Sequence, residues 1–230
     1  MAAQAGMSRN RVLKAAAAAL AIIIAVALLG VVLGLVLAGK ASTGLAQPID
    51  NAARTWIEAR TSKTNPFALI LDVLCGAGAM TLWAAAVGLV VWWRTRRPLL
   101  AFAPFVIALA ADTVVLAVKE AVARPRPAVI AGALGDRYSF PSGHTTVSAA
   151  VVVAVALIWV RPERRTAAVV AAAAFAALVA ASRLVLGVHW LSDVVIGAAL
   201  GTLLAVGLTR VGDGLLESER PSPEPTSRTR

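Results

Sequence analysis

Six apolar runs, each nearly free of charge, occupy most of this 230-residue chain, and runs of that kind have few places to go. They lie at Ala15 to Gly39, Phe67 to Trp93, Leu99 to Val118, Thr145 to Val160, Thr166 to Ala181 and Trp190 to Thr209. A helix rising 1.5 Å per residue needs about 20 residues to cross a hydrocarbon layer of roughly 30 Å. Inside hydrocarbon the backbone must satisfy its own N–H and C=O groups, so runs of Ala, Val and Leu at this length predict helices. Apolar residues make up 59% of the chain against 15% charged, which excludes a water-soluble globule. The expected fold is all-α: a bundle of six transmembrane helices over residues 15–209, after a short N-terminal segment 1–14. A tail at 210–230, rich in Pro, Ser and Glu, reads as disordered. The first run follows Arg9, Arg11 and Lys14 but greatly exceeds the roughly 7–15 residues of a secretory signal core, so it reads as a retained span.

A net charge of +10 raises the question of nucleic acid, yet no basic stripe is interleaved with aromatics, so no nucleic-acid partner is expected. The cations sit between the apolar runs. Six spans put both termini on one side, and thirteen basic residues fall there, among them Arg94, Arg96, Arg97, Arg161, Arg164 and Arg165; nine fall opposite. The positive-inside bias therefore places both termini in the cytoplasm. Two long connections, 40–66 and 119–144, then face outward. In the first, Ile49, Ala53, Trp56 and Ile57 recur at helical spacing among Asp50, Arg54, Glu58 and Arg60, the pattern of an amphipathic helix at the bilayer interface or of a plain linker. The single cysteine, Cys75, lies in an apolar run and allows no internal disulfide.

Chemistry-bearing residues concentrate at three places, all at the outer ends of expected spans. The first is KEAVARPRP, Lys119 to Pro127. Lys119 and Arg126 suit either lipid headgroup contact or a grip on a phosphoryl group, since Arg offers a planar fork and Lys a compact charge. The second is YSFPSGH, Tyr138 to His144, a turn opening the fourth helix. Backbone N–H groups at a helix start bind anions; Ser142 adds a hydroxyl, Gly143 lets the main chain approach, and His144 can pass a proton to a leaving oxygen. A capped helix with an interfacial histidine has the same residues. The third is SRLVLGVHWLSD, with Arg183, His189 and Asp193. On a continuous helix His189 and Asp193 would share one face, the carboxylate holding one ring nitrogen and freeing the other to attack.

These are the only two histidines in the chain, and no cluster has metal-ligand spacing, so no metal and no cofactor is expected. Asp72 and Asp112 fall within expected spans, where an unpaired carboxylate is costly; hydrogen bonding inside the bundle is the simpler reading of Asp112. Gly30 with Gly34 and Gly197 with Gly201 form G-x-x-x-G pairs, which predict close helix packing within the chain or between copies.

Taken in order, the three motifs resemble the signatures of the type-2 phosphatidic acid phosphatase superfamily, integral-membrane lipid phosphate phosphatases related to vanadium-dependent haloperoxidases. K-x6-R-P is met by Lys119, Arg126 and Pro127, P-S-G-H by Pro141 to His144, and S-R-x5-H-x3-D by Ser182, Arg183, His189 and Asp193. The resemblance implies a metal-independent hydrolysis in which His189 attacks phosphorus, Asp193 orients it and His144 protonates the departing lipid oxygen, with a phosphohistidine intermediate. It assigns Lys119, Arg126, Ser142, Gly143 and Arg183 to the phosphate oxygens and leaves Arg124, two residues short of the pattern, secondary. The implied partners are the bilayer and a lipid phosphate. Phosphatidic acid and its lyso form, phosphatidylglycerol phosphate, phosphoinositide-like lipids and undecaprenyl diphosphate all fit. The rival readings are a flippase for anionic lipid, a vanadate site and an inactive relative.

Overall fold

The computed structural model describes residues 2–39, 43–127 and 137–216, and among these every regular element is helical. Residues 210–216 of the tail expected to be disordered are helical instead, continuing the last helix; the rest of that tail, from 217 on, and parts of both outer connections, 40–42 and 128–136, lie outside the described residues. Eight α-helices follow one another: α1 Ala2–Leu33, α2 Gln47–Glu58, α3 Pro66–Leu74, α4 Ala77–Thr95, α5 Pro98–Val122, α6 Gly143–Ile158, α7 Pro162–Val185 and α8 Leu191–Leu216. Helix α1 runs without a break through residue 14 and ends in a π-helical turn, Gly34–Ala38. Four of the helices, α2, α3, α5 and α7, carry a proline in their first turn, where its missing N–H has no intrahelical partner to lose.

Five helical segments are long and apolar enough to cross a membrane: Arg9–Ala38, Ala77–Thr95, Pro98–Val122, Pro162–Val185 and Leu191–Leu215. Helix α6 completes a bundle of six but has only 16 residues, about 24 Å at 1.5 Å per residue, against 25 in α5 and 26 in α8. It packs on α4, α5, α7 and α8 and is buried along most of its length, so it is the central post of the bundle.

The expected second span is not one helix. It breaks at Cys75–Gly76 into α3 and α4. Two carbonyls near the break are taken up by α6: His144 Nε2 lies 3.1 Å from the Asp72 oxygen, and Ser148 Oγ donates to the Cys75 oxygen at 3.4 Å. Irregular backbone persists at such depth only where other protein groups satisfy it.

Helix association within a bilayer depends on close packing more than on expelling water. The glycine pairs serve that packing inside the chain. A Cβ on Gly201 would run into the Thr146 carbonyl oxygen of α6, and one on Gly197 would lie 2.8 Å from Thr146 Oγ1. Gly30 of α1 faces Val118 of α5 and Leu200 of α8 in the same way. These contacts draw α8 onto α6 and bring Asp193 beside Ser142, whose N–H donates to the Asp193 carbonyl at 3.1 Å.

Candidate active site

Helix α5 delivers the first group of residues. Lys119 stands buried in its last turn, and the helix stops at Ala123, whose left-handed φ of 51° and N–H bond to the Lys119 carbonyl turn the chain outward. The following stretch is fastened to the second group. Ser139 N–H donates to the Arg124 carbonyl at 2.9 Å, and its Oγ donates to the Pro125 carbonyl at 3.1 Å.

Ser142, fully buried, is the N-cap of α6, and Thr146 Oγ1 donates to its carbonyl at 2.8 Å while Thr145 Oγ1 donates to its hydroxyl at 3.1 Å. At Gly143 an added Cβ would meet nothing closer than Val115 at 3.5 Å, so packing within the protein does not require glycine there. His144 points Nε2 at Asp72, 3.0 Å from Oδ1. The same Asp72 oxygen accepts a short bond from Arg183 NH1. Asp72 therefore bridges the histidine of the second motif and the arginine of the third. Asp112, by contrast, stands partly buried on α5.

The third group depends on how α7 ends. Its C-cap is Leu186, and the next residue, Gly187, has φ of +68°, a conformation that side-chain-bearing residues rarely adopt. Val188 N–H donates back to the Arg183 carbonyl at 3.2 Å, and the reversal turns His189 inward. His189 and Asp193 do not share a continuous helix, because α8 begins only at Leu191. Their pairing survives for another reason. Asp193 sits in the first turn of α8, and its Oδ2 accepts the Trp190 N–H at 2.9 Å, the return half of a capping box. The same oxygen lies 3.4 Å from His189 Nδ1.

The other face of that imidazole meets a cation. Arg126 NH1 donates to the Val188 carbonyl at 3.0 Å and stands 3.4 Å from His189 Nε2. A guanidinium only donates, so the geometry favours the tautomer with hydrogen on Nδ1 and the lone pair on Nε2. His189 is buried, and burial first, then Arg126, Lys119, Arg183 and His144, hold its pKa well below the ordinary histidine value. The structure thus gathers Lys119, Arg126, Ser142, His144, Arg183, His189 and Asp193 around one spot, reached from α5, α6, α7 and α8. No group of three or more His, Cys, Asp or Glu residues with metal-binding geometry occurs among the described residues.

Three residues that the motifs do not single out join this cluster. Asp72 is one. The others are Asp50 and Arg124, which form a fully buried ion pair at 2.6 Å. Arg124 also reaches Asp193 Oδ1 at 2.6 Å, so it sits between two carboxylates. The only trace of this in the sequence is the first Arg-Pro pair, at Arg124 and Pro125, together with a carboxylate at position 50 of an amphipathic segment.

The chain resembles known proteins in sequence and in fold. Phosphatidylglycerophosphatase B of Escherichia coli strain K12 and that of Shigella flexneri are each 38% identical over 73 residues, 31% of this chain and 28% of theirs. The aligned stretch thus spans little more than a quarter of those relatives. The crystal structure of the first transmembrane PAP2 type phosphatidylglycerolphosphate phosphatase from Bacillus subtilis superposes with a TM-score of 0.68 at 20% identity, covering 86% of this chain and 96% of that one. At that identity the likeness is one of fold. The family model of the PAP2 superfamily matches residues 99–215, which contain all three motifs, and the chain belongs to that superfamily.

Proposed function

We propose that the chain is a metal-independent lipid phosphate phosphatase working through a phosphohistidine. The observation that carries this reading is the setting of His189. One ring nitrogen faces a buried carboxylate, the other faces a guanidinium, and burial keeps the ring neutral. A neutral imidazole held in that tautomer is a nucleophile aimed at whatever anion Arg126 holds.

The steps follow from the placement of the side chains. His189 Nε2 attacks phosphorus, a P–N bond forms and the P–O bond to the lipid breaks. His144 gives its proton to the departing oxygen. Water then attacks phosphorus, returning a proton to His144 and releasing inorganic phosphate as the P–N bond breaks. Charge on the transferring group is met by Lys119, Arg126 and Arg183, with the Ser142 hydroxyl and the Gly143 N–H completing the cradle. The bare Gly143, with room around it that packing does not use, supports a close approach of the phosphate to the main chain.

The basic-residue bias supports cytoplasmic termini and a site at the outer face of a cell membrane. The substrate is a lipid monophosphate or a polyprenyl diphosphate, because the cradle addresses the phosphate and leaves the tail to the bundle. The relatives' named activities favour a phosphatidylglycerol phosphate. The test uses purified protein in chelator with a panel of phosphate-labelled lipids. Release of inorganic phosphate, abolished in His189→Ala protein that still inserts, is the expected result. Full release by that variant refutes the nucleophile. Lipid translocation with no release refutes the hydrolase and points to a flippase.

A further inference from the structure

The His189–Asp193 pair does not stand alone: behind it lies a second set of equally buried charges. Arg124 is 0% exposed, yet its NH1 donates to Asp193 Oδ1 at 2.6 Å and to Ser192 Oγ at 2.8 Å. Its NH2 donates to Asp50 Oδ2 at 2.6 Å and to Gln47 Oε1 at 2.9 Å. The guanidinium also lies over the Trp190 ring, 5.1 Å from the centroid. Asp50 in turn accepts from the N-terminus of α8, taking the Ser192 N–H on Oδ1 at 2.8 Å and the Ser192 hydroxyl on Oδ2 at 2.7 Å. A guanidinium buried between two carboxylates is expensive to desolvate, and a bundle has cheaper ways to fix a loop.

We propose that Asp50 and Arg124 are positioning residues for the reaction, forming a carboxylate–guanidinium–carboxylate–imidazole chain that sets how strongly Asp193 holds His189. This rests on the phosphohistidine reading above. Arg124 fixes Asp193 with Oδ2 toward the ring. Asp50 takes half of the Arg124 charge, so that Asp193 keeps enough negative charge to accept the Nδ1–H firmly as positive charge develops on the ring. The outer end of this relay is α2, which also exposes Ile49 and Trp56. The helix that carries this apolar stripe thus supplies a carboxylate to the machinery of the site.

The other groups around His189 are Arg126 in the preceding connection, Lys119 on α5, His144 on α6, Arg183 on α7 and Asp193 on α8. All are left intact by two isosteric or near-isosteric changes of opposite sign. Asp50→Asn removes a negative charge and leaves an oxygen for Ser192; Arg124→Gln removes a positive one. The chain has two histidines, so protein labelled with 15N in its histidine rings gives two titrations, assigned with His144→Gln. The His189 midpoint is expected to fall by about 0.5 pH unit or more in Asp50→Asn and to rise in Arg124→Gln. In turnover, Asp50→Asn is expected to lose about tenfold in kcat with KM within about twofold, the pattern of an interaction made in the transition state. Ser192→Ala, which cuts a tether without changing charge, is expected to lower thermal stability and leave the midpoint in place. Either charge variant alone decides the matter if the other fails to insert. An unmoved midpoint, or a shift equal to that of Ser192→Ala, overturns the proposal. Because the titration needs no substrate, its outcome is separate from the reading of function, which is judged by phosphate release from the wild-type and His189→Ala proteins.

Discussion

Asp72 presents a test with a clear sign. Its carboxylate touches both Arg183, proposed to hold the substrate phosphate, and His144, proposed to protonate the leaving oxygen, and its side chain is 40% exposed. An incoming dianion must compete with it for the same guanidinium. A phosphoryl group hydrogen-bonded to Arg183 would place phosphorus about 5 Å from the Asp72 carboxylate, given hydrogen bonds near 2.8 Å. At that distance a unit charge repels a dianion by about 1.7 kcal/mol in a water-like dielectric and by about four times more at an effective dielectric of 20. The exposure of Asp72 argues for the smaller figure. Asp72→Asn keeps an oxygen for His144 and Arg183 while removing the charge, so inorganic phosphate should inhibit about tenfold more tightly. Competition by phosphate against a lipid substrate, with orthovanadate as a second probe, measures this directly. If the variant binds phosphate no better, or more weakly, Asp72 organises the cradle rather than competing with its ligand.

Other perturbations follow from the same geometry. His144→Ala should lose much more activity with natural lipid esters than with an aryl phosphate whose leaving group needs no proton; equal losses would contradict the acid role. The depressed pKa of His189 predicts that the acid limb of kcat/KM lies below pH 6.5, because the neutral nucleophile persists until pH falls through the folded-state value. The same depression means the unfolded chain takes up that proton first, so folded-state stability declines as pH drops below about 6.5. A limb above that value in kcat/KM would refute the neutral, buried ring. Gly201→Ala forces a methyl against the Thr146 carbonyl and should cost about 1–3 kcal/mol, read as a lower melting temperature in detergent. Gly78→Ala, with nothing within 4 Å of the added carbon, should leave melting unchanged.

The bundle could be read from the apolar runs because a membrane permits so few backbone solutions. The break in the second run could not. Its sequence around Cys75 is apolar and carries no proline, and what stabilises the break comes from His144 and Ser148 on another helix. The His189–Asp193 spacing led to the correct pairing by an incorrect route, since the cap of α8, not a shared helical face, brings the two together. In α2 the residues taken as one apolar face divide: Ile49 and Trp56 are exposed, while Ala53 and Ile57 turn partly inward beside the buried Asp50. Asp50 hid among surface charges because its partner Arg124 lies 74 residues away, and no local pattern reports a contact at that separation.

Two ion-pair systems flank His189, the proposed nucleophile, and they differ in exposure. On one side Asp72, whose side chain is 40% exposed, joins α3 to α6 and α7 through His144 and the buried Arg183, so that a phosphate oxygen reaching Arg183 would take the place of a solvent-accessible carboxylate. On the other, Asp50, Arg124 and Asp193 are at most 1% exposed, and opening that set would strand buried charge, a loss of about 3–5 kcal/mol. On the proposed reading, the Asp72 pair is the one that substrate displaces, and the buried set is the one that holds still while it does. His189 stands between them, with Nε2 toward Arg126 and Nδ1 toward the fixed carboxylate. In the proposed mechanism such a site commits its displaceable charge to binding and its immobile charge to the attacking ring. Variants of Asp72 should accordingly register mainly in the affinity for phosphate, and variants of Asp50 or Arg124 mainly in kcat.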